Sequence, residues 1–290
     1  TASTDNTIQL RKRDGSLLHI LKGHTDWIIN MSFSPDAKIL ASASADKTVK
    51  LWSMDGRLLN TLKGHKGWVT NVEFSSDGEL LASVSADNTI KLWSRDGKLL
   101  KTLSGHNDGV NSVAFSPNGQ MIVSASKDDT IKLWSLDGKI LKTISGHSQG
   151  VNSVTFSPKG DIIASGSDDR TVKLWSLDGR LLKTLPGHTG EVLSVAWSPD
   201  GQTIASASAD NTVKLWSRDG RLLNTLTGHN SDVKSVSFSP NGKIIASASI
   251  DKTIKLWSLD GQLLDTLQGH NHVVSSVSFS SDGQLLASAS

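Results

Sequence analysis

The sequence predicts an all-β fold of seven four-stranded antiparallel sheets stacked against one another. Three observations predict it. The pairs Gly23-His24, Gly64-His65, Gly105-His106, Gly146-His147, Gly187-His188, Gly228-His229 and Gly269-His270 recur at a constant interval of 41 residues, without insertion or deletion. Each interval holds four short apolar runs separated by Asp, Asn, Gly and Pro clusters, the pattern of strands and turns. Helical periodicity is absent, and a fixed repeat of this length marks a solenoid, propeller or array.

In the first copy the runs are Ile28–Phe33, Ile39–Ser44, Thr48–Ser53 and Leu58–Leu62. The first ends at Ser34-Pro35-Asp36, and Pro117, Pro158, Pro199 and Pro240 take the same place in later copies, where a turn loses no ladder N–H. The second ends at Ala45-Asp46-Lys47. Between the third and fourth stands Asp55-Gly56, repeated as Asp96-Gly97, Asp137-Gly138, Asp178-Gly179, Asp219-Gly220 and Asp260-Gly261. Asp-Gly between two strand runs is a hairpin signal and predicts a type I′ turn. One copy is therefore a four-stranded meander. Such a sheet cannot cover both of its faces alone, but stacking against neighbours can. The small residues Ala41, Ser42, Ala43 and Ser44 fit a strand that adjacent sheets approach closely.

The sequence Gly-His, then V-x-x-V-x-F-S-P-D-G, then L-A-S-A-S-x-D-x-T-I-K-L-W resembles the WD-repeat β-propeller family across essentially all 290 residues. The resemblance implies a seven-bladed β-propeller with four antiparallel strands per blade around a central channel. It also implies a hydrogen-bonded His, Ser, Asp and Trp tetrad in each blade. Carried onto this chain, these are His24, Ser42, Asp46 and Trp52; His65, Ser83, Asp87 and Trp93; His106, Ser124, Asp128 and Trp134; His147, Ser165, Asp169 and Trp175; His188, Ser206, Asp210 and Trp216; and His229, Ser247, Asp251 and Trp257. The choice of Ser42 over Ser44 rests on the resemblance. Two departures stand out. The Asp that gives the family its name is Ser, as in Leu51-Trp52-Ser53, and Arg11 takes the Trp position of the remaining copy, leaving His270, Ser288 and Asp5 without a Trp. The near-identity of the copies implies recent duplication or consensus design. It resembles arrays in bacterial multidomain proteins, where a propeller serves as a sensor or docking module.

The chain begins in mid-copy and without Met, which suggests a segment of a longer protein. Thr1-Ala2-Ser3 aligns with Ser288-Ala289-Ser290 seven periods on. The C-terminal strands, roughly Val273–Ser280 and Leu285–Ser290, and the N-terminal strands, roughly Thr7–Arg13 and Ser16–Leu21, are expected to form one blade from residues 1–22 and 270–290 that closes the ring. Closure pairs two otherwise open sheet edges. Residues 1–290 are read as a single domain.

Net charge is +2, which gives no sign of nucleic-acid binding. There is no cysteine, so disulfides and Cys-ligated zinc are excluded. No signal peptide and no apolar run of about 18 residues appears. The expectation is a soluble, cytoplasmic monomer with no cofactor, no bound metal and no membrane or nucleic-acid partner. P-loop, G-x-S-x-G, H-E-x-x-H and dinucleotide motifs are absent, and no residues that break the repeat form a nucleophile, base and orienter set.

A His present in every copy lies on a ring and reads as structural; His19 and His272 are not spaced as a metal set. Function is expected where the copies differ, on the face shared by the Gly-His loops and the Asp46-type turns. Third after each His stand Trp27, Trp68, Gly109, Gly150, Glu191, Asp232 and Val273; before each Asp stand Ala45, Ala86, Lys127, Asp168, Ala209, Ile250 and Thr4. Candidate partner-binding residues are Trp27, Trp68, Lys127, Asp168, Glu191, Asp232 and Ile250. Two readings of Trp27 and Trp68 stay open, an aromatic anchor for a protein or peptide and a cover for the blade tops or channel mouth. Glu191 and Asp232, with Lys234 beside them, would give the face a charged side, or be scattered surface polarity. Lys50, Lys91, Lys132, Lys173, Lys214 and Lys255, with Arg57, Lys98, Lys139, Arg180 and Arg221, read as solvated charges protecting outer strands, or as a basic rim for an acidic partner. The function expected is an interaction scaffold. The alternatives are a purely structural propeller without a specific ligand and, third, an enzyme with a channel site.

Overall fold

The computed structural model describes residues 6–12 and 15–290. It is a seven-bladed β-propeller. Each blade is one antiparallel sheet of four strands, and in six of them the strands follow chain order from the channel outward, as in the first, Ile28–Phe33, Ile39–Ser44, Thr48–Ser53 and Leu58–Lys63. No helix among the described residues is long and apolar enough to cross a membrane.

The closing blade joins the two ends of the chain. From the channel outward it runs Ser276–Phe279, Leu285–Ala289, Thr7–Lys12 and Leu17–Lys22. Ile8 pairs with Ala289 and Lys12 with Leu285, and the Ser290 N–H donates to the Thr7 carbonyl at 3.2 Å. The innermost strand is shorter than expected. Above its upper end the Ser275 N–H bonds the Ala289 carbonyl of the same blade at 2.9 Å and the Val274 N–H bonds the Ser249 carbonyl of the neighbouring blade at 3.0 Å. Arg13, expected to end the third strand, lies outside the described residues.

The core sits between blades. Ala41, Ala43, Val49, Leu51 and Leu62 of the first blade pack against Val69, Val72, Phe74, Leu81 and Trp93 of the second. Alternation along each strand sends every other residue into such an interface, and the alanines of the second strand let the next blade approach. Ile8, Leu10 and Leu21 make the same contact across the closure, with Ile28, Met31, Phe33, Leu40 and Trp52.

Two turns differ from or qualify the sequence expectation. The Asp-Gly turns are not type I′. The Gly56 N–H bonds the Ser53 carbonyl at 3.0 Å, the Ser53 N–H bonds the Arg57 carbonyl at 2.9 Å, and only Gly56 has positive φ, 89°. This is a three-residue loop ending in a left-handed glycine bulge, and a separate register shift between Leu51 and Trp52 leaves Leu59 as an extra residue on the outer strand. Ser53 Oγ donates to the Asp55 carboxylate, which fixes the loop. In the turn after the innermost strand, Ala37 stands at φ 53° where the other blades place glycine. A left-handed alanine is strained. Ala37→Gly is therefore expected to stabilise the protein by about 1 kcal/mol, read as a raised denaturation midpoint; a lowered midpoint would contradict the strain.

Candidate functional site

Each of blades one to six carries the same buried relay. Trp52 Nε1–H donates to Ser42 Oγ at 2.8 Å, Ser42 Oγ lies 2.7 Å from His24 Nε2, and His24 Nδ1 lies 2.7 Å from Asp46 Oδ2. A carboxylate only accepts, so Nδ1 carries the proton and Nε2 accepts the serine hydroxyl. Asp46 also accepts from the Thr25 N–H, the Thr48 N–H and the Thr48 hydroxyl. The same contacts recur from His65 to Asp87 and Trp93, and onward to His229, Asp251 and Trp257. The order Ser, His, Asp is that of a hydrolase triad, but Ser42 has 0% exposure and its oxygen already receives the indole N–H, so no substrate carbonyl can reach it.

Burial by itself would raise the Asp46 carboxyl, but the bonds from His24, Thr48 and the Thr25 N–H outweigh it and hold the group well below the usual carboxylate range. Asp128 and Asp251 are held at about 2 by the same kinds of donors against the same burial. Burial pushes the imidazoles of His106, His147, His188 and His229 down, against the pull of their aspartates. The unfolded chain takes up protons on these imidazoles below about pH 6.5 and the folded ring does not. Their contribution to stability is complete above that pH and is lost as pH falls. The lowered aspartates act in the same direction below about pH 3.9. The opposing group is Glu73, pushed up to about 8, whose contribution is lost as pH rises. Between about pH 6.5 and pH 4 the imidazoles and Glu73 oppose one another, whereas below about pH 4 the lowered aspartates all act in one direction. The thermal midpoint is therefore expected to fall steeply between about pH 4 and pH 2, and a flat profile over that interval would contradict the lowered carboxyls.

The relay fixes the end of the ring where the copies differ. The Ala45 N–H bonds the Trp27 carbonyl at 2.8 Å, and the matching bonds are Ala86 to Trp68, Lys127 to Gly109, Asp168 to Gly150, Ala209 to Glu191 and Ile250 to Asp232. The two variable sets are thus brought side by side in each of these blades; Thr4 lies outside the described residues. Trp27 and Trp68 are 45% and 52% exposed, and their rings touch across the first two blades at 6.4 Å between centroids with an interplanar angle of 41°. Lys127 and Glu191 are exposed, whereas Asp232 and Ile250 are half-buried. Asp168 accepts from Asn152 Nδ2 at 2.5 Å and belongs to the blade top. The acidic candidates lie on blades five and six, away from the tryptophans. Between them the channel opens in a cavity of about 270 Å³ lined by Ile29, Thr70, Asn111, Leu193 and Lys234. Thr70 and Asn111 are engaged with carbonyls of the following blade, which leaves Ile29 to extend the tryptophan surface toward the mouth.

In the closing blade His270 Nε2 lies 2.8 Å from Ser288 Oγ, while Asp5 lies outside the described residues. Arg11 donates to the carbonyls of Gly15 and Gln268 and to Gln9 Oε1, at 2.9, 2.6 and 2.8 Å. The interface it borders has no tryptophan.

The lysines before the core tryptophans form no exposed basic rim; Lys173 and Lys214 are half-buried. Lys50, Lys91, Lys132 and Lys255 are buried, and Lys50 Nζ donates to Thr61 Oγ1 on the outer strand at 3.0 Å. They share a sheet face with the tryptophan two residues on, so the stem packs inward and only the ammonium reaches a polar partner. The second basic set, from Arg57 to Arg221, is exposed. Two groups escaped the sequence reading. Arg95 and Arg218 tie neighbouring blades by pairing with Asp36 and Asp161 at 2.5 and 2.6 Å. Glu73 is an acid at a channel-facing repeat position that is otherwise Ser, Ala or Thr; comparing copies position by position along the innermost strand would have found it.

A family model described as "WD domain, G-beta repeat" matches residues 15–53, 56–94, 97–135, 138–176, 179–217, 220–258 and 261–290. Each matched unit starts with the outer strand of one blade and continues into the next. No curated protein matches the chain significantly.

Proposed function

We propose that this chain, which belongs to the WD domain, G-beta repeat family, whose propellers are generally protein-interaction scaffolds, docks a protein or peptide segment on the face of its Gly-His loops. Trp27 and Trp68 are the anchor. The single observation that carries the reading is their mutual contact at 6.4 Å while both stay about half exposed. A folded chain gains little by leaving two large aromatic rings in water, and Trp is enriched at interface hot spots. Ile29 extends this apolar plate, and Glu191 and Asp232 supply negative charge across the mouth. The partner best matched is a segment with an apolar side chain at one end and basic residues at the other.

The test is selection of displayed peptides on the intact chain, followed by titration of the winners against Trp27→Ala/Trp68→Ala. Truncating a tryptophan hot spot costs about 2 kcal/mol or more, so the double variant is expected to bind at least about 30-fold more weakly. Its melting midpoint should stay near that of the parent, because neither ring is in the core. Equal affinity in parent and variant would move the docking site off this face.

A further inference from the structure

The innermost strands turn two side chains per blade into the channel, and in one blade these are unlike the rest. The upper position is Asn or Ser in every blade. There Asn30, Ser112, Ser153, Ser194 and Ser235 accept the N–H of the following blade's innermost strand, for example Val154 to Ser112 Oγ at 3.2 Å and Val195 to Ser153 Oγ at 3.1 Å. Asn71 breaks the series: its Oδ1 is buried and has no hydrogen-bond partner. Two residues along the same strand stands Glu73. Both line one channel cavity of about 380 Å³, with Ser32 and Ser112 from the adjacent blades. The Glu73 carboxyl accepts the Phe115 N–H. Lys234, higher up at the mouth, is the other charged side chain lining the channel among the described residues.

We propose that this pair is a binding site for a primary ammonium group inside the propeller channel, with Glu73 as its counter-charge and Asn71 Oδ1 as a second acceptor. The donor count selects the ligand. An ammonium presents three N–H donors and no acceptor, and the site offers a carboxylate, an unpartnered amide oxygen and a serine hydroxyl. A guanidinium would bring five donors in one rigid plane, a shape that Asn71 and Glu73, strung along one strand, match less well than they match a compact ammonium. Calcium takes six to eight oxygens and draws its affinity from several carboxylates, whereas one carboxylate stands here and no group of three metal-ligating side chains occurs among the described residues. The ring of strands encloses the Glu73 carboxyl, which pushes it up to about 8. A bound ammonium would stabilise the carboxylate and release that proton, so affinity rises with pH through this range until the amine itself loses its charge near about pH 10. The site is independent of the tryptophan face, and its failure would leave the docking proposal untouched.

The test titrates the intact chain with n-propylammonium, and separately with a short capped peptide holding one lysine, using n-propanol and the norleucine peptide as uncharged controls. Heat of binding is read at pH 7 in two buffers of different ionisation enthalpy. Glu73→Ser gives blade two the residue that blades one, six and seven carry, so the ring is preserved. The intact chain is expected to saturate at or below about 1 mM amine, with proton release, and Glu73→Ser to bind about tenfold more weakly or worse, with the proton release gone. Saturation by the lysine peptide alone supports the site and assigns the ammonium to a partner's side chain; saturation by both assigns it to free amines as well. Equal binding by Glu73→Ser, equal binding of propanol, or saturation by neither amine overturns the proposal.

Discussion

A chain lacking residues 1–22 is expected to lose its folding transition rather than to melt a few degrees lower. The deletion removes the two outer strands of the closing blade and exposes the edge of Leu285–Ala289, which otherwise pairs with Ile8 to Lys12. It also removes Ile8, Leu10 and Leu21, all essentially without exposure, from the interface with Ile28, Met31, Phe33, Leu40 and Trp52. Each buried aliphatic is worth about 2–5 kcal/mol on truncation. Three of them, with a strand ladder, compare with the whole stability of a domain, about 5–15 kcal/mol. The open edges would pair with other chains. The check is circular-dichroism melting with light scattering. Loss of the cooperative transition and concentration-dependent aggregation are expected; an unchanged melting curve would show that closure contributes nothing.

The second large effect is expected from Trp134→Ala. The ring is 1% exposed, packs into the interface with blade two beside Leu92 and Leu103, and donates its N–H to Ser124 Oγ at 2.8 Å. Removing a buried tryptophan costs about 3–5 kcal/mol, and Ser124 loses a donor besides. Six other interfaces remain, so the variant should still fold and its denaturation midpoint should fall by that amount. Trp68→Ala is the control within the same chain, since a half-exposed ring outside the core is worth under about 1 kcal/mol. Equal losses for the two would mean that the relay and core do not distinguish them.

Most of the fold was legible because the repeat prints it seven times. The turn clusters after Phe33, Ser44 and Ser53 mark the strands, and the alignment of Thr1-Ala2-Ser3 with Ser288-Ala289-Ser290 places the closing blade. What escaped depends on the third dimension. Asp-Gly signals a hairpin, but the loop length is set by whether Ser53 pairs with Arg57, which the dipeptide does not encode. Lys50 looks like surface charge in one dimension; it is buried because it shares a face with Trp52 and finds Thr61 across the sheet. On the variable face, the alignment of copies located Trp27 and Trp68, but only the ring's curvature brings them into contact. Glu73 differs from its counterparts inside the channel, on the innermost strand, so a comparison of the loops alone does not reach it.

Shared residues build the ring, and the differing residues of one face are expected to do its work. The most direct measurement is amide hydrogen exchange of the intact chain with and without a saturating selected partner. Added protection confined to the loops at residues 25–29 and 66–70, extending toward the mouth, is the predicted result. Protection on the Ser-Pro turns of the opposite face, or along the outer strands, with these loops unchanged, would contradict it.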